Sequence, residues 1–414
     1  MSRKIIEGYN KYYHKNGEIS KEGNILNGKR SGTWKFYDNY GVLEKEENYL
    51  KGKKDGYFVH FQRNKKIKDG TYRNNKIYES NIKKYINENN ETRYESYREG
   101  KKHGQWKIDF HKKGTRQPYT ETINYRNGKK HGENILEYHD GVRISYNYKN
   151  GKKNGEYLRT DRFEHVITEE KKIVESGFYK DNKKSGEWIL FSTDSEVQQR
   201  LLYKNGKKNG ECFFYNSWYG KKERKIRVSH NFPKLSEFFN HEEVHKLELI
   251  DSYVRNRWIR DTKLTIDFKD DQIHGLFTMI VTNRMGEEGK LYEFNFNNGK
   301  RHGLSTCFHI SHSSYDDFKK DRKSHYKNGK LHGKYYEYDN ESVRESTYKN
   351  QELHGPYEWY DIEPSGERFT IEKGQYKNDE KDGIWKYYQY PYKNKVIKKG
   401  ETWEKGKLLD SKEY

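Results

Sequence analysis

Asn298-Gly299-Lys300-Arg301-His302-Gly303 and Asn127-Gly128-Lys129-Lys130-His131-Gly132 are two copies of a six-residue phrase that recurs from one end of the chain to the other. An Asn-Gly pair between alternating residues is the strongest short-range signal for a tight hairpin. A type I′ turn needs positive φ at both central positions, and these two residues tolerate it. Each hexad therefore reads as a turn between antiparallel strands. Clear copies end at Gly32, Gly56, Gly104, Gly132, Gly155, Gly186, Gly210, Gly275, Gly303, Gly333, Gly355 and Gly383, which are assigned as structural turn glycines. The final glycines are mostly 22 to 31 residues apart, and the step from Gly56 to Gly104 holds a decayed copy around Asn74-Asn75-Lys76. Such a period signals a stacked array. Two strands and two turns fit one unit, so each unit adds a hairpin to a growing sheet.

The spacing predicts an all-β fold: an elongated antiparallel repeat sheet of β-hairpins, on the order of 130 Å long if unbent at about 4.8 Å per strand. One long step, from Gly210 to Gly275, breaks the array. Within it Ser236 can N-cap a helix, and apolar residues at 235, 238, 239, 247 and 250 roughly follow a 3.6 period. The residues 246–254 suit a strand equally, and 257–260 and 264–268 alternate like strands. The expected organisation is an N-terminal array over 1–216, a mostly helical or mixed insert over 217–268, and a C-terminal array over 269–414.

Composition agrees with a repeat. Only 31% of the 414 residues are hydrophobic, while 38 Tyr and 8 Trp supply aromatic area at fixed offsets. Disordered chains are depleted in aromatics, so tyrosine and tryptophan are expected to carry the packing. Two residues beyond the final glycine stand Trp34, Phe58, Trp106, Tyr157, Trp188, Phe277, Tyr335, Tyr357 and Trp385, with Asn134, Cys212 and Ser305 as exceptions. The fifth residue is often aromatic as well, as at Tyr37, Phe61, Tyr338 and Tyr388. Positions two and five have opposite parity, so either both faces are aromatic or a bulge resets the register. These rings read as core, with base stacking as the alternative use of an exposed column.

A formal charge of +20 biases partners towards nucleic acid, acidic protein or acidic lipid. Lysine fills the third hexad position at Lys29, Lys53, Lys101, Lys129, Lys152, Lys183, Lys207, Lys300 and Lys330. Two strands per unit place successive lysines about 10 Å apart, near one Debye length. The column is the candidate anion or partner surface; its other reading is protection of the sheet from edge-to-edge aggregation. Histidine precedes the final glycine at His103, His131, His274, His302, His332 and His354. One histidine per hairpin is too sparse for a metal site, so a turn-steadying hydrogen bond is expected instead.

No nucleophile elbow, phosphate loop or Cys-x-x-Cys is present in the sequence, whereas His241-Glu242-Glu243-Val244-His245, inside the long step from Gly210 to Gly275, does match His-Glu-x-x-His. The expectation is a non-enzyme with no cofactor and no metal. Cys212 and Cys307 lie in separate repeats and imply no disulfide framework. The first residues lack an apolar stretch of signal-peptide length, and no apolar run approaches the about 18 residues of a membrane span. A cytoplasmic location is expected.

Asn-Gly-Lys-x-His-Gly, followed by Trp or Tyr two residues on and a second aromatic three later, resembles the MORN repeat, in the variant found in bacterial antitoxin-like proteins of the YwqK type. The resemblance covers roughly 8–216 and 269–408. Classical MORN units have Gly-x-Gly where this chain has Gly-x-Trp or Gly-x-Tyr. The resemblance implies a twisted antiparallel sheet of hairpins used as a scaffold or binding surface. A protein partner is the leading expectation, with antitoxin or immunity-like neutralisation as one form. Binding of nucleic acid or acidic lipid, and a structural part of a larger, viral assembly, are the alternatives.

Overall fold

The computed structural model describes residues 7–86, 91–110, 119–161, 172–192, 196–217, 259–283, 285–310, 318–339, 341–389 and 396–414. Among the described residues there are 33 strands and no helix. The chain divides into two compact units, Met1–Glu196 and Val197–Tyr414. Within the first, an antiparallel meander runs from Gly8–Tyr13 to Lys183–Phe191. Within the second, another runs from Val197–Lys204 to Lys407–Glu413. The fold class is as the hexads predict, whereas the helical part of the expected insert finds no support. The span 236–250 lies outside the described residues. The last ten residues of the expected insert belong to the array, because Ile259–Lys269 is a strand paired with both Gly210–Ser217 and Gln272–Asn283.

The hairpin Ile19–Leu26/Lys29–Tyr37 shows how one unit is built. Asn27 and Gly28 have φ of 51° and 69°, the type I′ combination. Pairing runs from Leu26↔Lys29 to Asn24↔Ser31 and resumes at Glu22↔Lys35. One residue, Gly23, therefore faces three: Gly32, Thr33 and Trp34. The hexad's last glycine sits in this bulge rather than in the turn, and its φ of 67° is why glycine stands there.

The bulge brings the ring two residues after Gly32 back over the opposite strand. Trp34 covers Gly23, and its Nε1 donates to the Asn24 carbonyl at 3.0 Å. Trp106 and Trp188 repeat the bond to the carbonyls of Ser96 and Phe178. Tyr37 hydrogen-bonds Glu22, the neighbour of Gly23 on a strand whose successive side chains alternate sides. Here both sequence alternatives hold: a bulge is present, and the fifth-position ring occupies the face opposite Trp34.

A second aromatic column interleaves with the first. Two residues before the turn stand Tyr49, Tyr72, Tyr97, Tyr125, Tyr148, Tyr179, Tyr203, Phe268, Phe296, Tyr326, Tyr348, Tyr376 and Trp403. Ring centroids of Tyr97 and Tyr125 both lie 5.2 Å from that of Trp106, and Tyr179 and Tyr376 lie 5.0 Å from Trp188 and Trp385. These tilted and edge-on contacts suit ring quadrupoles and form a spine that substitutes for an aliphatic core.

The residue four before the turn faces the bulge ring and varies in size: Glu47 stands opposite Phe58, Tyr146 opposite Tyr157 and Ile266 opposite Phe277, while glycine lies beneath three tryptophans. Gly23, Gly177 and Gly374 lie under Trp34, Trp188 and Trp385. At one of the non-aromatic copies the small Ser305 pairs with the large Phe294. There the ring has moved to the opposite strand, a volume swap consistent with close packing.

Candidate binding edge

Successive turns are stitched to one another. At most steps the N–H of a turn's second residue donates to the carbonyl of the fourth hexad residue of the preceding hairpin, as with Gly52 to Arg30, Gly128 to Lys102, Gly151 to Lys130 and Gly329 to Arg301, at 2.8 to 2.9 Å. Where that residue is Asn or Asp, its side chain returns the bond. Asn182 N donates to Lys153 O at 2.9 Å while Lys153 N donates to Asn182 Oδ1 at 2.7 Å. Asn75 with Lys54, Asp271 with Lys208 and Asp379 with Leu353 make the same reciprocal pair. The hexads of each unit therefore line one edge in fixed register.

The two adjacent cations of the hexad have different environments. All nine predicted third-position lysines are exposed, as is Lys76 of the decayed copy. The fourth-position cation instead folds over the aromatic spine: Lys102 lies 4.2 Å from the Trp106 ring, Lys184 3.7 Å from Trp188, Lys381 4.0 Å from Trp385 and Arg301 4.0 Å from Phe294. That cation shields the ring face and is held by its quadrupole.

The sequence reading missed the residue immediately before each turn, which pairs directly across from the third-position lysine. In the first unit these pairs are Leu26↔Lys29, Leu50↔Lys53, Arg73↔Lys76, Arg98↔Lys101, Arg126↔Lys129, Lys149↔Lys152 and Lys180↔Lys183. In the second unit they are Lys204↔Lys207, Lys269↔Gln272, Asn297↔Lys300, Lys327↔Lys330, Lys349↔Glu352, Lys377↔Glu380 and Glu404↔Lys407. All are exposed. The predicted lysines therefore form an unbroken row only in the first unit, where Lys76 completes it; in the second, Gln272, Glu352 and Glu380 interrupt it.

The histidines stand behind the turns. Nδ1 of His274 and His302 accepts from the N–H of Asn298 and Asn328 at 3.4 and 3.5 Å, and His354 Nδ1 meets Asn378 Oδ1 at 3.2 Å. Asp55 takes the same place, accepting from Asn74 N at 3.1 Å. Among the described residues no group of three or more His, Cys, Asp or Glu is placed to hold a metal.

A buried carboxylate lies on the spine face. Glu47, 1% exposed, accepts from Tyr49 Oη at 2.9 Å, Lys54 Nζ at 2.8 Å and His60 Nε2 at 3.2 Å. Burial pushes its carboxyl up, but the bonds from His60, Lys54 and Tyr49 outweigh it and hold the group at about 2. Glu401 is likewise held at about 2, against burial, by Lys399, Tyr387 and Trp403. With its oxygens occupied by neighbouring donors, the Glu47 cluster satisfies a buried charge.

Among the described residues no helix is long and apolar enough to cross a membrane. No family model matches the chain, and no curated protein does. Among solved structures, the chain is similar to part of the crystal structure of TcdB2-TccC3-Cdc42, at 9% identity and a TM-score of 0.15, over 95% of this chain and 25% of that one. A second likeness, to the crystal structure of TcdB2-TccC3-TEV, has 9% identity and a TM-score of 0.13, over 99% and 24%. The chain spans about a quarter of the length of the solved chains it matches, and similarity at these TM-scores carries no argument about fold or function.

Proposed function

We propose that this chain is a non-enzymatic repeat scaffold of the MORN-like type that holds a protein partner against its hexad edge. Antitoxin or immunity-type neutralisation is the form that the resemblance implies. The observation that carries this reading is the exposure of Leu26 and Leu50, 60% and 57%, on consecutive stitched turns. Two apolar side chains held side by side in fixed backbone, each beside a lysine, supply what a partner's apolar anchor needs without ordering a loop on binding.

The test is affinity capture with the tagged full chain, alongside Leu26→Ser/Leu50→Ser. The expected result is a stoichiometric protein partner that is retained by the parent chain and lost from the variant. Capture of no stable protein partner, or equal capture by both, overturns the reading.

A further inference from the structure

Five consecutive turns of the first unit, from Arg73–Lys76 to Lys180–Lys183, each carry two cations directly opposite one another. Like charges in this position repel, and a sheet is destabilised by them. The second unit shows the neutral solution to the same geometry in Lys349–Glu352, Lys377–Glu380 and Glu404–Lys407. Hairpin formation therefore does not require the double cation.

Compensation within the strip is slight. Among its turn residues the only carboxylates are Glu99 and Asp181, and Lys152 reaches Asp181 at 3.8 Å with both side chains well exposed. The Arg73 guanidinium stacks on the Tyr78 ring at 3.8 Å, which fixes its plane and leaves its charge. The stitching bonds link every step: Gly100 to Tyr78, Gly128 to Lys102, Gly151 to Lys130 and Asn182 to Lys153. At two strands per step the strip extends for about 40 Å, with cation pairs about 10 Å apart, close enough for their fields to overlap.

From this we infer that the strip binds the phosphate backbone of a nucleic-acid duplex, as a sequence-independent contact. The inference goes beyond the protein-partner reading and does not rest on it. A duplex supplies a long, continuous line of phosphates, and its interfaces are polar and strongly cationic. A protein partner gains affinity chiefly from apolar and aromatic anchors. The turn residues of this strip are Arg, Lys, Asn, Gly, Glu and Asp; of the rings beside them, Tyr78 is covered by Arg73 and Phe178 alone is half exposed, so cations far outnumber apolar anchors.

The experiment uses the full chain and a fluorescent random-sequence DNA duplex, titrated at several salt concentrations. Two triple variants are compared: Arg98→Ser/Arg126→Ser/Lys149→Ser in the strip and Lys269→Ser/Lys327→Ser/Lys377→Ser in the second unit. These side chains are exposed, so both variants should fold, and circular dichroism confirms it. Binding of the parent should fall log-linearly with salt. The strip variant should bind at least tenfold more weakly, with the salt slope reduced by about 3, one per cation removed. The second-unit variant, with the same change in net charge, should keep most of the affinity. Three results overturn the inference: no duplex binding at 50 mM salt, equal weakening by both variants, or tighter binding of poly-glutamate than of the duplex. Partner capture by Leu26 and Leu50 is read separately, so either proposal can fail alone.

Discussion

The indole of Trp188 covers Gly177 so closely that a Cβ at that position would stand 2.3 Å from ring carbon Cδ2. No side chain fits under the ring. Gly177→Ala must displace Trp188 from the spine and should cost about 2 kcal/mol, the scale of overpacking a closed site. Urea unfolding followed by tryptophan fluorescence measures the loss. Adding Trp188→Leu should recover part of it, and additive effects of the two substitutions would contradict the packing relation.

Glu47 makes stability depend on acid. Its folded value of about 2 lies below the ordinary 4.5, so its contribution is fully present above pH 4.5 and drains away as pH falls towards 2. The size is about 3 kcal/mol by linkage. Thermal melts between pH 2.5 and 7 should show Glu47→Gln less stable at neutral pH but flatter in acid. Parallel curves for variant and parent would refute the assignment.

Adjacent lysines should respond oppositely to the same change. Lys102 lies over Trp106 and Tyr125, at 4.2 and 5.1 Å, whereas Lys101 is exposed beside Arg98. Lys102→Gln should lower stability by about 1 kcal/mol through lost cation–π contact. Lys101→Gln should leave it unchanged or raise it slightly, since a like-charged pair is removed. Thermal melts of the two single variants decide the matter.

The reciprocal turn bonds can be removed and added. Asn182→Gly keeps the positive φ but loses the acceptor for Lys153 N–H, at a cost of about 1 kcal/mol. Conversely, Gly151→Asn offers Lys130 N–H the same acceptor. A Cβ there meets only Lys129 Cβ at 3.8 Å, but the φ of 88° costs any side chain, so the new bond should slow amide exchange at Lys130 with little net change in stability. Amide exchange at Lys153 and Lys130 reports each bond directly.

Much of the fold was legible because the hexad's chemistry is local. Asn127-Gly128 specifies a type I′ turn whatever surrounds it, and twelve copies specify an array. The tyrosine column two before the turn was equally periodic, but next to the more obvious Trp34 and Trp106 it was not read. The lysine column was found, yet Arg98, Arg126 and Lys149 opposite it were not, although each immediately precedes its turn. Their significance depends on pairing: only the cross-strand register places Arg98 beside Lys101.

By itself the sequence determined the turn type, the repeat and the antiparallel class, since positive φ and hairpin spacing are properties of a few neighbouring residues. Tertiary structure decided which of two adjacent hexad cations packs on the spine and which faces solvent. Alternation puts Lys101 and Lys102 on opposite faces, and the face that is buried depends on where Trp106 folds after the bulge at Gly104. It decided also that Trp34 and Trp188 fold over Gly23 and Gly177 of the facing strand, a contact that a linear reading of one strand does not contain.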